Sequence, residues 1–244
     1  MEDDTEKPDL RDMLKFYGRR KGKALKQNRQ SAYDLVMPAA RITLREGNAP
    51  LSPDGFFDFP VKEVWLEVGF GNGEQLVHQA LANPDIGMIG CEPFLNGVSA
   101  LCRDVKEKNI RNIRIWQDDA RLLLPRLMDK SISRCFILNS DPWPKKRHHK
   151  RRFIQKETLD ELHRLLKTGA ELRLSSDDPS LNAWQMEKPY FHGGYEWLAR
   201  TADDWRTRPA DMLGTRYQAK GQVQGRSTVF LNFKTLPTPV TPDK

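Results

Sequence analysis

A chain of 244 residues, 38% hydrophobic and 30% charged, fits one α/β domain with a short extension and has enough apolar residues for a core. No apolar run approaches the roughly 18–20 residues that cross a bilayer. The acidic, polar opening MEDDTEKPD does not read as a secretory signal, so neither a membrane protein nor an exported one is expected.

Cys91, Cys102 and Cys135 are odd in number and lack CxxC spacing. That argues against a disulfide framework or a zinc site and fits reduced, mostly buried thiols in a cytoplasmic protein. The formal net charge is +7, and the cations gather in two places: Arg19, Arg20, Lys21, Lys23, Lys26 and Arg29, and the run Lys145 to Arg152. Clustered cations favour a polyanion partner, although a charge run can also be a plain solvated face. Neither cluster lies on a clearly amphipathic helix, which disfavours a membrane surface.

Residues 1 to about 35 are polar and basic and read as a partly flexible or docking arm. Gly47, Asn48, Pro50, Ser52, Pro53, Asp54 and Gly55 mark a loop. Strand and helix then alternate. Val61–Val68 reads as a strand and Gly73–Leu81 as a helix, followed by a strand at Gly87–Cys91 and a helix at Leu95–Lys108. Further strands are predicted at Ile113–Gln117 and Cys135–Asn139, the latter apolar enough to be central. Apolar residues at helical spacing run from Arg152 to Leu166, with Gly169 as the helix stop. Glu171–Leu174, Tyr195–Leu198 and Thr228–Phe233 read as strands, and Pro237, Pro239 and Pro242 mark a disordered tail. Repeated strand–helix units imply a mostly parallel sheet with helices on both faces and ligands at the carboxyl ends of the strands.

The first strand runs into Glu67-Val68-Gly69-Phe70-Gly71-Asn72-Gly73. Glycines there let the backbone approach a ligand closely. The spacing is G-x-G-x-G, and Glu74 stands where the dinucleotide fingerprint has its third glycine. Glu67, two residues before the first glycine, would repel a pyrophosphate and suits an ammonium or sulfonium group; S-adenosylmethionine carries both. The second strand ends at Glu92, placed to accept ribose hydroxyls, and the third at Asp118-Asp119-Ala120, placed to accept from an adenine amino group. Acids at successive strand ends favour S-adenosylmethionine over a nicotinamide cofactor.

The fourth strand leads into Ser140-Asp141-Pro142-Trp143-Pro144, followed by Lys-Lys-Arg-His-His-Lys-Arg-Arg over 145–152. His148 and His149 are adjacent and point different ways, so no metal is expected. A cationic run directly after the active edge reads as phosphate binding. Trp143 reads either as a base-stacking ring or as a loop anchor.

This segment resembles the bacterial tRNA (guanine-N7)-methyltransferase family, whose signature is D-P-W followed by K-K-R-H-H-K-R-R. Glu67 to Gly73, Glu92, Asp119-Ala120, Ser176-Asp177 and Thr215-Arg216-Tyr217-Gln218 fall in the family's order, and the likeness spans roughly 14–234. Phe16-Tyr17-Gly18-Arg19-Arg20 is similar to arms in part of the family. The resemblance implies a Rossmann-like class I methyltransferase fold: a mostly parallel sheet with helices on both faces and a C-terminal antiparallel strand. It implies Glu67, Gly69, Gly71, Glu92, Asp119, Ala120 and Asp141 at the cofactor, with Asp141 also as the active-site acid. Lys145, Asp177, Thr215, Arg216, Tyr217 and Gln218 would contact the substrate. The implied reaction is transfer of a methyl group from S-adenosylmethionine to N7 of guanosine 46 in the tRNA variable loop. The implied layout is an arm over 1–35, the methyltransferase domain over 36–235 and a tail over 236–244. The other expectations are a tRNA partner, no membrane, no metal, and a monomer or homodimer.

Two positions depart from the family pattern. Ser140 replaces the usual proline before the D-P-W aspartate, and Gln218 replaces the glutamate that usually ends T-[RK]-[FY]-E. Gln218 keeps hydrogen-bonding capacity and loses the charge. These departures leave open a non-catalytic or weakly active RNA-binding relative, and the charge pattern alone leaves open a methyltransferase for another RNA.

Overall fold

Strands buried on both faces must be covered by helices above and below. In the computed structural model, which describes residues 14–44, 46, 47, 49–214 and 225–239, the chain meets that demand with one seven-stranded sheet. The elements in chain order are α1 (Gln27–Ala40), β1 (Glu63–Val68), α2 (Glu74–Ala82), β2 (Ile86–Cys91), α3 (Leu95–Glu107), β3 (Ile113–Trp116), α4 (Ala120–Leu123) and β4 (Ile132–Leu138). They continue as α5 (Lys156–Leu165), β5 (Leu166–Ser176), α6 (Pro179–His192), β6 (Tyr195–Trp197), α7 (Asp203–Arg206) and β7 (Val229–Thr235). The strand order is β3-β2-β1-β4-β5-β7-β6. β1 to β5 are parallel, and β7 runs antiparallel between β5 and β6. This is the expected sheet, including its antiparallel C-terminal strand.

Alternation along each strand sends side chains to opposite faces. On β1, Val64, Leu66 and Val68 join a cluster with Leu123, Leu124, Leu127, Leu159, Leu162 and Leu165, which puts α4 and α5 on that face. Trp65 points the other way, into a cluster of Ala32, Met37, Leu76, Val98 and Leu101 from α1, α2 and α3. Cys91, Cys102 and Cys135 are buried free thiols, and burial pushes all three up from the ordinary thiol range. No helix among the described residues is long and apolar enough to cross a membrane.

Several elements differ from the sequence reading, among them α4 and α7, which it did not contain. α1 begins at Gln27, inside the stretch read as an arm; it has no side-chain cap and no first-turn acid to announce it. α6 carries Pro179 at its first turn, where proline is tolerated, and Pro189 inside, where it is not favoured. Gly169 does not stop a helix. α5 ends at Leu165, β5 starts at the next residue, and Gly169 lies inside that strand with φ of 81°, near the shifted register between Ile132 and Arg134. The segment expected to be a free tail is held at its first residue, since Leu236 N donates to Gly194 O.

Both sheet edges are short. On the β3 side, Ile42 N donates to Ile115 O at 2.9 Å, so the chain after α1 lies along that strand. On the other side stands β6, with three residues.

Candidate active site

The carboxyl ends of β1, β2, β3 and β4 bring Glu67, Glu92, Asp118, Asp119 and Asp141 to one edge of the sheet. Gly69 and Gly71 have φ of 73° and 57°, the left-handed region that glycine enters without strain, and a Cβ on either would point into open space. The loop is braced from behind. Gly97 on α3 packs so closely that a Cβ there would land on the Gly71 carbonyl. Gly71 N also donates to Glu92 Oε2 at 2.8 Å, and Phe94 N donates to Glu92 Oε1 at 3.0 Å.

Glu67 is 4% exposed, and its Oε2 has no hydrogen-bond partner. Burial, reinforced by the nearby Glu92 charge, raises its pKa to about 8. Burial also raises Glu92, opposed by the Phe94 and Gly71 N–H donors and assisted by the charge of Asp141. An orphaned buried carboxyl beside open, glycine-lined backbone is suited to a small cationic ligand.

At the end of β3 the two aspartates have defined partners. Asp118 Oδ1 accepts from Asp119 N and from Arg20 Nη1, each at 2.8 Å. Asp119 caps α4 by accepting from Arg121 N, and it is gripped by the Arg121 guanidinium, with Nη2 at 2.6 Å from Oδ2. Ala120, the first residue of α4, is buried beneath them. Arg20 belongs to a segment lying across this edge: Leu95 N donates to Arg20 O, Gly22 N to Asn96 Oδ1, and Asn96 Nδ2 to Lys23 O. The arm motif and first basic cluster thus include a docked strap. Arg121 and the role of Arg20 were missed by residue type alone, because their partners are set by the fold.

The segment after β4 is bent. Asn139 and Trp143 have φ of 50° and 43°, uncommon for residues with a side chain. The Trp143 ring meets His148 and Tyr17 edge-on, and the Arg151 guanidinium lies over both Trp143 (4.9 Å) and Tyr17 (4.2 Å). In this arrangement Trp143 anchors the loop. Asp141 is exposed at the mouth of the site.

The basic run divides by role. Lys145, Lys146, Arg147 and Lys150 are exposed, whereas Arg152 is 3% exposed. Arg152 donates to Pro142 O and to Ser180 O and Oγ, so it ties the D-P-W segment to α6 instead of facing solvent. His148 is held below the ordinary histidine range by desolvation and by Arg151, Arg147, Lys145 and Lys150. Asp177, just past β5, pairs with Arg226 at 3.3 Å. Thr215, Arg216, Tyr217 and Gln218 lie outside the described residues. Glu67, Glu92, Asp118, Asp119 and Asp141 therefore converge on one edge, and Lys145 and Asp177 sit on the loops that follow β4 and β5.

Residues 61–231 match a family model described as "Putative methyltransferase". The tRNA (guanine-N(7)-)-methyltransferase of Rhodospirillum rubrum is 45% identical over 231 residues, covering 93% of this chain and 90% of the relative. That of Agrobacterium fabrum is 42% identical over 218 residues, covering 89% and 94%. Among solved structures, the 16S rRNA methyltransferase KamB superposes with a TM-score of 0.54 at 14% identity, over 72% of this chain and 89% of that one, a likeness of fold alone. By its matching family model and by identity to these relatives over nearly its whole length, the chain belongs to the tRNA (guanine-N(7)-)-methyltransferase family.

Proposed function

We propose that this enzyme transfers a methyl group from S-adenosylmethionine to N7 of a guanosine in the variable loop of tRNA, acting in the cytoplasm. The observation that carries the reading is the edge itself: buried, partly unsatisfied acids around an open glycine loop, adjoining a loop that carries exposed cations.

S-adenosylmethionine supplies an electrophilic methyl group on a sulfonium. Glu67 and Glu92 would hold its cationic and ribose groups, Asp119 and Ala120 its adenine, and Gly69 and Gly71 leave room for it to lie against the backbone. Guanine N7 has a free lone pair and no proton, so the chain needs no general base. N7 bonds to the methyl carbon as the carbon–sulfur bond breaks, and the positive charge moves to the base. Asp141, exposed at the mouth, would stabilise that charge and accept from the guanine N1–H and amino group. Most of the rate then comes from orientation and fixed charge. Lys145 would take a phosphate, and Asp177 with Thr215, Arg216, Tyr217 and Gln218 would contact the tRNA.

The test is methylation of unmodified tRNA with labelled cofactor, followed by mapping of the modified base. Label at N7 of a variable-loop guanosine is expected; methyl transfer to no RNA would remove the reading.

A further inference from the structure

The chain between β4 and α5 leaves the sheet, carries Asp141 and the basic run, and returns at Gln155. Its first stretch is held at few points. Asn139 N donates to Ser175 O at 2.8 Å, which fixes the exit on β5. Asn139 and Trp143, on either side of Asp141 and Pro142, both stand in the left-handed region, which residues with a side chain keep only where their surroundings impose it. Between them Pro142 O accepts from Arg152 Nε at 2.8 Å. Among the described residues this is the one hydrogen bond made by the backbone of residues 140–144.

Arg152 is itself locked in place. Its Nη1 donates to Ser180 O at 3.2 Å and its Nη2 to Ser180 Oγ at 2.8 Å, in the first turn of α6. The guanidinium lies 5.2 Å from the centre of the Trp184 ring, one turn further along α6. Trp184 Nε1 donates to Ile154 O at 2.6 Å, and Gln155 Nε2 donates to His149 O and Arg152 O at 2.8 and 3.0 Å. Arg152 is 3% exposed, and its side chain donates only to neutral oxygens. Burial lowers its pKa, opposed by the charge of Asp178. Burying a cation on neutral acceptors is costly. What the cost brings is a planar fork that joins the backbone just after Asp141 to a helix.

Asp141 is exposed, and among the described residues its carboxylate has no hydrogen-bond or ion-pair partner. Its place is therefore set by the backbone that carries it. We infer that Arg152 is a positioning residue for methyl transfer: by holding Pro142 O against the start of α6, it sets where Asp141 stands at the mouth of the site. This rests on the reading that Asp141 acts in the transfer step.

The test uses the full chain with Arg152→Ala, Arg152→Lys, Asp141→Ala and the Arg152→Ala/Asp141→Ala double variant. Melting midpoint, affinity for S-adenosylmethionine, affinity for unmodified tRNA, and the single-turnover rate at saturating tRNA and cofactor are measured, at a temperature where every variant is folded. Arg152→Ala should lower that rate between about tenfold and about a hundredfold, the scale of a misplaced group, and leave both affinities nearly unchanged. Arg152→Lys keeps the charge and lacks the fork, so it cannot hold Pro142 and Ser180 together and should fall between Arg152→Ala and the parent. The double variant should be no slower than Asp141→Ala alone, because both losses act through one carboxylate.

If Asp141→Ala lowers the rate and Arg152→Ala does not, the positioning role is refuted and the reading of Asp141 stands. If Asp141→Ala leaves the rate unchanged, that reading fails and takes the positioning role with it. Losses that multiply in the double variant would show Arg152 to be a structural tie only. A fall in tRNA affinity with the saturated rate unchanged would place Arg152 in binding and overturn the inference. Should Arg152→Ala fail to fold, Arg152→Lys alone and combined with Asp141→Ala decides between the same outcomes.

Discussion

The two halves of the active edge are built on opposite terms. Where β1, β2 and β3 end, the groups are largely buried acids: Glu92, Asp118 and Asp119 are held by backbone N–H donors or by single arginines, and Glu67 Oε2 is left without a partner. Past the end of β4, apart from Asp141, the loop carries exposed cations beside half-buried rings that meet edge-on under Arg151. The difference fits the ligands proposed for the two sides, a small cation and a polyanion. A small cation is selected by a dry pocket whose charges are placed before it arrives. A large polyanion is gathered by exposed charges acting over many ångströms, at the expense of salt sensitivity.

Four changes would break or sharpen this contrast. The largest effect is expected at the seam: Asp141→Ala should lower methylation by about a thousandfold, while tRNA binding in a filter or gel assay largely survives. Equal loss of both would make Asp141 a structural residue.

Next is Glu67→Gln, which should weaken cofactor binding by about tenfold or more, as expected when a charge-assisted partner is lost. It should also raise the melting midpoint of the cofactor-free protein. The unfolded carboxyl ionises near its ordinary value of 4.5 and the folded one near 8, so burying Glu67 costs more stability as pH rises between them. The gain in Glu67→Gln should therefore be small at pH 5 and larger at pH 8; a gain independent of pH would contradict this.

Lys145→Ala should weaken tRNA binding only a few-fold, uniformly across tRNAs, and reduce the slope of log affinity against log salt by about one. An unchanged slope would remove Lys145 from the phosphate contacts. The smallest effect is expected from Gln218→Glu, which should leave activity equal or higher. A large loss of cofactor affinity would show that the glutamine is required here.

The ends of β1, β2 and β3 were the more legible in the sequence, and the reason is local. Glu67, Gly69, Gly71, Glu92 and Asp119 each lie at or just past the end of a strand, so strand periodicity and residue type are enough to place them. The region beyond β4 depends on pairings across the chain. Nothing near Arg152 marks it as the buried tie to Pro142 and Ser180, and within the basic run it looks like its exposed neighbours. Asp211 pairs with Arg173, 38 residues away, and with Arg134, 77 residues away, so no short window of sequence contains these partners. Among the elements, β1 to β4 followed from apolar runs. α6 was hidden by Pro189 and α1 by its missing caps, both cases where packing decides against local preference.

The short bridge between Arg41 and Ile115, made through the Ile42 N–H, bears on how the chain can be handled. A β3 without it would present Ile113–Trp116 as an open row of backbone donors and acceptors, a template for pairing with another molecule's strand. Removing the chain up to about residue 42 would uncover that row and also strip Ala32, Val36, Met37 and Ala40 from the core beneath the sheet. The stretch that looks most dispensable in the sequence therefore both fills part of the core and lies along an otherwise open strand edge.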